Sequence, residues 1–183
     1  MHVFEPNPIC LAQLARVRTP NMTIHEVALS DVTGGAIMRF DPGNTGIGTI
    51  EAANRLDNNP GIVQVREIEV PIRTLDSFRL ANVGFIKIDV EGHEPAVLRG
   101  ARALLAASHP ALLMELELRH NPTVFEDVWS LLDPLGYRML ACTREGLVAV
   151  DRSRMAEIQK GRPEPNPDYL YNFVFAPPER SNL

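Results

Sequence analysis

FIKIDVEGHE, residues 85 to 94, joins a short apolar strand to three acidic groups and a histidine. Phe85, Ile86, Ile88 and Val90 read as strand, while Asp89, Glu91, His93 and Glu94 follow at its end. Strand residues alternate faces, so the spacing predicts that Asp89 and Glu91 project to the same side. In an open α/β sheet the crevice beyond the carboxyl ends of the strands is where ligands bind, which makes this the first place to look for chemistry. A plainer reading stands beside it. Glu94 followed by Pro95 fits the first turn of a helix, where an acidic side chain meets the positive end and proline is well tolerated. Asp89, flanked by Ile88 and Val90, fits that plainer reading less well, because a charge near the buried part of a sheet is costly unless paired or used.

At 183 residues the chain reads as one domain over 1–183, long enough for a substantial core. A hydrophobic fraction of 45% and a charged fraction of 22% are those of a globular protein. The formal charge of -5 and the lack of a Lys/Arg cluster argue against nucleic acid as a partner. Cys10 and Cys142 are far apart and lack metal-type spacing, which suits a reducing, cytoplasmic setting. MHVFEPNP has no apolar signal core, and no apolar run reaches the length of a membrane span.

Working outward from the central stretch, the chain alternates strands and helices. His2 to Phe4 reads as the end of a strand, with Asn7 as helix cap and Pro8 as first helical residue. Leu11, Leu14 and Ala15 recur at helical spacing until Thr19-Pro20-Asn21. Ile24, Val27 and Leu29 form one short strand ending at Ser30-Asp31. Ala36 to Phe40 and Val63 to Ile72 are extended, with Asn44 to Ile50 as the flexible middle of a long loop or an antiparallel pair. Val97, Ala101, Leu104 and Leu105 mark a helix ending near Pro110, and Ala111 to Leu118 a buried strand. Val128, Leu131 and Leu132 belong to a helix that stops at Gly136. Tyr137 to Ala141 and Tyr171 to Ala176 complete the strands, the last reached through a proline-rich connection from Arg162 to Asp168. Such alternation indicates a mainly parallel sheet with helices on its faces.

Four segments in order, FEPNP (4 to 8), VALSD (27 to 31), VPIRTLDSF (70 to 78) and FIKIDVEGHEPAVLRGA (85 to 101), resemble the FkbM family of S-adenosylmethionine-dependent methyltransferases. The resemblance implies an α/β fold with a Rossmann-like class I methyltransferase sheet, mostly parallel, with an antiparallel last strand. It implies that Glu5 binds the ribose hydroxyls of S-adenosylmethionine with Asn7 nearby, and that Ser30 and Asp31 meet the adenine edge. A carboxylate can accept from both ribose hydroxyls, whereas Ser-Asp before Gly-Gly is also ordinary turn chemistry. On the acceptor side the resemblance makes Asp89, Glu91 and His93 the catalytic candidates. Asp89 would favour the positive sulfonium, and Glu91 or His93 would orient the acceptor or take its proton. Glu115, Glu117, Arg119 and His120 are further candidates for the pocket wall. The same three catalytic candidates could ligate magnesium, but octahedral oxygen coordination does not follow from their spacing, and no metal site is expected.

The expected reaction is O-methylation of a sugar, glycolipid or natural-product hydroxyl, so a small-molecule or glycan substrate is the expected partner. In the family pattern a first strand and a glycine-rich loop precede FEPNP. Here the first residue falls at the second strand, so the reading is of an N-terminally truncated domain. Gly43 to Gly48 is no substitute, since it follows the third strand. The expectation is that the chain as written binds S-adenosylmethionine weakly or not at all. The alternative is a truncated, non-catalytic methyltransferase-like binding or scaffolding module.

Overall fold

A computed structural model describes residues 1–56, 61–160 and 168–178. The elements in chain order are β1 (His2–Phe4), α1 (Pro8–Val17), β2 (Thr23–His25), β3 (Ala28–Leu29), β4 (Gly34–Asp41), β5 (Asn44–Thr49) and β6 (Arg66–Arg73). They continue with β7 (Phe85–Ile88), α2 (Glu94–Arg99), α3 (Arg102–Ser108), β8 (Ala111–Glu115) and α4 (Val124–Leu132). The chain ends through β9 (Arg138–Thr143), β10 (Gly146–Ala149), α5 (Met155–Ile158) and β11 (Asn172–Ala176).

Local chemistry explains most of these boundaries. The Asn7 side chain accepts from Ile9 N–H and Pro8 opens α1, so the predicted cap and start hold. The single helix expected from Val97 to Leu105 is two, α2 and α3, broken at Gly100. A Cβ there would sit 2.0 Å from the Ser30 carbonyl oxygen, so only glycine lets this junction lie against the end of β3. The strand expected over Ile24 to Leu29 is likewise two, β2 and β3. Asn44 to Ile50 is mostly strand rather than flexible loop. Asp41 Oδ1 accepts from Gly43 N–H at 2.8 Å and closes a tight turn that pairs β5 with β4. The hairpin strand β10 and the short α5 carry no clear periodic signal. The connection expected from Arg162 to Asp168 falls, apart from Asp168, outside the described residues.

One mostly parallel sheet does not form. Among the described residues there are three sheets, ordered β1-β2, β3-β6-β4-β5 and β10-β9-β11-β8-β7. Three of the eight strand pairings are parallel (β1 with β2, β3 with β6, β7 with β8), and the other five are antiparallel. Two physical reasons account for the difference. The tight connections β4-β5 and β9-β10 permit only antiparallel neighbours, since a parallel partner needs a long crossover. Moreover, no described strand lies between β1 and β7, so the two parallel pairs stay in separate sheets. The last strand does run antiparallel, to both β8 and β9.

The main core gathers on the β8 side of β7. Leu112, Met114, Leu116, Val124, Val128, Leu132 and Phe173 are fully buried, and the Phe125 and Phe173 rings meet edge to face at 5.2 Å. A smaller core of Ala28, Met38, Phe40, Val70 and Ile72 lies within the β3-β6-β4-β5 sheet. No described helix is long and apolar enough to cross a membrane.

Candidate active site

A cavity of about 980 Å³ opens between β1 and β7. The two strands, the loop after β6 and α3 give it an apolar base that includes Val3, Leu75, Leu80, Val83, Ile86 and Leu104. The carboxyl ends of the strands give it a polar mouth of Glu5, Asn7, Asp89, Glu91 and His93. The hairpin strand β5 reaches both ends. Cys10 Sγ, in the first turn of α1, donates to Thr45 O at 3.1 Å, and Thr49 Oγ1 donates to Glu91 O at 3.1 Å.

On the β1 side, Glu5 Oε1 accepts from Asn7 N–H at 2.7 Å. Burial pushes the Glu5 carboxyl above its usual range, and the Asn7 amide pulls the other way. Asn7 is 1% exposed; its Oδ1 is spent on the cap, while its Nδ2 has no hydrogen-bond partner. A buried amide donor left unmatched beside a carboxylate acceptor suits a ligand that both accepts and donates.

On the β7 side the strand stops at Ile88, and the chain turns sharply through Glu91 at φ 54° and Gly92 at φ 102°. The turn has two supports. Glu94 Oε1 accepts from Gly92 N–H at 3.1 Å and from Val90 N–H at 3.4 Å. Gly92 lies so close to His120 that a Cβ would meet its carbonyl oxygen at 3.0 Å. Glu94 therefore does more than open α2: it is 1% exposed and ties down the loop that carries Glu91.

Glu91 Oε2 approaches His120 Nδ1 at 3.1 Å, a contact without well-aligned hydrogen-bond geometry. Burial, then the charges of Glu115 and Asp89, push the Glu91 carboxyl up to about 8. Burial, then Arg119, pushes His120 down to about 4. At neutral pH Glu91 thus holds a proton and His120 is uncharged. Glu94 and Glu115 are each raised to about 7, chiefly by burial. Glu117 binds Arg119 and accepts from the Tyr169 hydroxyl at 2.8 Å, and it stands behind this group rather than in the cavity wall.

His93 is held at both ring nitrogens. Nε2 lies 2.9 Å from Ser30 Oγ and Nδ1 lies 3.1 Å from Glu51 Oε2. The order Ser, His, Glu matches that of a hydrolase triad, yet Ser30 is 4% exposed and does not line the cavity. Its hydroxyl supports His93 and is no accessible nucleophile. Asp89 sits at the exposed rim and pairs with Lys87 Nζ at 2.7 Å, which is how its charge is accommodated.

The model of the methyltransferase FkbM domain matches residues 1–139. The chain belongs to this family. Its fold is similar to that of methyltransferase FkbM from Methylobacillus flagellatus, with a TM-score of 0.55, 19% identity, 95% of this chain covered and 35% of the other. The chain thus spans about a third of that protein's length. No curated protein matches.

Of the residues that the FkbM resemblance singled out, the structure brings Glu5, Asn7, Asp89, Glu91 and His93 to one cavity mouth. Ser30 and Asp31 lie outside it, Ser30 turned to His93 and Asp31 paired with Arg99 at 2.9 Å. Because Glu91 itself has left-handed backbone, past the end of β7, strand alternation does not set its direction. Glu51 was invisible in the sequence, since it lies in a Gly/Asn/Pro-rich stretch with no periodicity. His120 was legible only as a neighbour of Glu117. Among the described residues no three His, Cys, Asp or Glu side chains converge as metal ligands.

Proposed function

We propose that this site supports S-adenosylmethionine-dependent methylation of a hydroxyl oxygen on a sugar, glycolipid or natural product, in the cytoplasm. The observation that carries the reading is Glu91, set by a strained turn at the cavity mouth against His120. The cofactor fits the residues present on one point in particular: the Glu5 carboxylate and the unmatched Asn7 Nδ2 are the acceptor and donor that a ribose diol requires. Bound there, S-adenosylmethionine would supply an electrophilic methyl group on a sulfonium.

Glu91 is the group that takes the hydroxyl proton as the oxygen gains its methyl. A carboxylate that titrates near 8 is a far stronger base than an ordinary one while still partly ionised at neutral pH, which is the match that general-base catalysis favours. His120 lies 3.1 Å from the Glu91 carboxyl and stays neutral, so it adds no charge that would hold Glu91 ionised. His93, clamped by Ser30 and Glu51, orients the acceptor, and Asp89 adds negative potential at the rim. Asp31 reaches an adenine only by releasing Arg99. Isothermal titration with S-adenosylmethionine tests the cofactor side: binding by this chain should be weak, micromolar affinity overturns that expectation, and measurable binding that Glu5→Ala leaves unchanged removes Glu5 from the site.

A second reading, a non-catalytic binding module, is favoured by the open strand edges that face the cavity from β1 and β7. Methyl transfer that is lost in Glu91→Gln decides for the enzyme. Tight binding of S-adenosylmethionine with no transfer to any hydroxyl acceptor decides for the module.

A further inference from the structure

The turn that carries Glu91 is left-handed at two successive residues, Glu91 at φ 54° and Gly92 at φ 102°. Glycine adopts such backbone freely, but a residue with a side chain keeps it only where its surroundings hold it there. Glu94 holds the N–H groups of Val90 and Gly92. The carbonyl groups of the turn are held from elsewhere in the chain, by two asparagines.

Asn54 lies in the loop after β5 and is 8% exposed. Its Oδ1 accepts from Leu56 N–H at 3.1 Å, and its Nδ2 donates to Glu91 O at 2.8 Å. Asn121 lies in the loop between β8 and α4. Its Oδ1 accepts from Thr123 N–H at 3.0 Å, and its Nδ2 donates to Gly92 O at 3.2 Å. The two side chains are built alike. Each spends its oxygen on the N–H two residues ahead, which sets the plane of the amide and turns the nitrogen toward the 91–92 turn. Aspartate would make the same local turn but set an oxygen against the carbonyl, and serine would make it but fall short of the carbonyl. Thr49 Oγ1 adds a second donor to Glu91 O at 3.1 Å. Segments 37 and 29 positions away from the residues they hold thus converge on consecutive carbonyls.

We propose that Asn54 and Asn121 are positioning residues for Glu91, clamping the two carbonyls so that the left-handed turn, and with it the direction of the Glu91 side chain, is fixed. Neither asparagine lines the cavity, so both act through Glu91 rather than on a ligand. Released from the clamp, Glu91 returns to the right-handed or extended backbone that residues with a side chain favour, and its carboxyl leaves the buried place beside His120. The consequence for catalysis rests on the reading of Glu91 as the base, whereas the placement of Glu91 does not.

The test of placement uses the 183-residue chain without cofactor. Carbon-13 NMR of glutamate-labelled protein follows the Glu91 carboxyl, assigned by its loss in Glu91→Gln. Burial is the main cause that holds this carboxyl up to about 8, and the principal charges that act on it, those of Glu115, Asp89, Arg119 and Glu117, belong to neither asparagine turn. In Asn54→Ser and in Asn121→Ser the hydroxyl keeps an acceptor for the local turn while the donor to the carbonyl is lost. The Glu91 midpoint should fall by about one unit or more in each variant as water reaches the freed carboxyl, with urea unfolding still cooperative. A purely structural role would lower the urea midpoint and leave the titration in place, and an unchanged Glu91 midpoint in either variant overturns the proposal. In methyl-transfer assays each serine variant should lose at least about tenfold in kcat with the acceptor KM little changed, since a misplaced group costs rate more than binding. Rate lost in Glu91→Gln but kept in both serine variants overturns the positioning alone. An unchanged rate in Glu91→Gln removes the base instead, and the carboxyl titration then decides the clamp by itself.

Discussion

β7 separates two regions of similar composition and opposite state. On its β8 side Leu112, Met114 and Phe173 are 0% exposed, and the strands are paired through to β10. On its β1 side Phe85 is 58% exposed, and a cavity takes the place of a neighbouring strand. Apolar side chains alone thus do not close a sheet. A backbone partner must also be present, because burying an unmatched ladder edge costs more than the apolar contact returns. Burial raises carboxyl pKa values on both sides, Glu94 and Glu115 away from the cavity and Glu5 and Glu91 at its mouth.

The sharpest break of this comparison is a pair of truncations. Phe173→Ala removes a fully buried ring from the closed side and should cost about 3–5 kcal/mol. Phe85→Ala on the open side should cost less than about 1 kcal/mol, because little surface leaves water there. Urea midpoints measure both. Equal losses would mean that the open side is closed in solution.

Next in size is Glu91→Gln. Loss of a general base costs about 10²–10⁴-fold in rate, so turnover should fall by at least about 100-fold with the fold intact. The unaltered protein should gain activity as pH rises through about 8, where Glu91 ionises, and the variant should lose that rise. A pH profile that is unchanged in Glu91→Gln moves the base elsewhere.

Gly92→Ala should follow, at about 1–3 kcal/mol, because φ 102° is strained for alanine and the new methyl meets the His120 carbonyl. It should also loosen the loop, let water reach Glu91 and so lower the apparent pKa of the rate, since burial is the main cause of the raised value. A stable variant with the same pH profile would show that the turn does not set the Glu91 environment.

Legibility followed the same divide. Several elements of the closed side were readable because each pairs an apolar period with a stop signal, as in Leu131-Leu132 before Gly136 and the strand after Pro110, whereas β10, α5 and the break at Gly100 were not. The division into three sheets was not readable, because periodicity marks a strand and says nothing of its neighbour. At the site, Asp89, Glu91 and His93 were singled out at a strand end, whereas Glu5 and Asn7 became candidates only through the FkbM resemblance. Glu51 was not singled out, since its role comes from a hairpin that brings it to His93 across 42 positions. The direction of Glu91 was hidden for a related reason, because only the backbone shows that it leaves the strand in a left-handed turn.

The smallest effect comes from the buried carboxyls around β7. Glu91, Glu94 and Glu115 have folded values of about 8, 7 and 7 against an ordinary 4.5, so between 4.5 and those values the folded chain binds more protons than the unfolded one. Stability then falls as pH rises through that window. His120, lowered to about 4 from 6.5, acts in the opposite sense, adding stability as pH rises from 4 to 6.5. The two partly cancel at pH 5–6, which leaves the decline clearest from pH 6.5 to 8. The urea midpoint should therefore drop between pH 6.5 and 8.5, and Glu94→Gln should flatten part of that drop. The amide keeps an oxygen for Gly92 N–H, but its NH2 replaces the unpartnered Glu94 Oε2 in a buried place, so the variant is less stable throughout and the slope with pH is what is compared. A midpoint that holds level in the unaltered protein would mean that water reaches these carboxyls, and the contrast between the two sides of β7 would then be one of strand pairing alone.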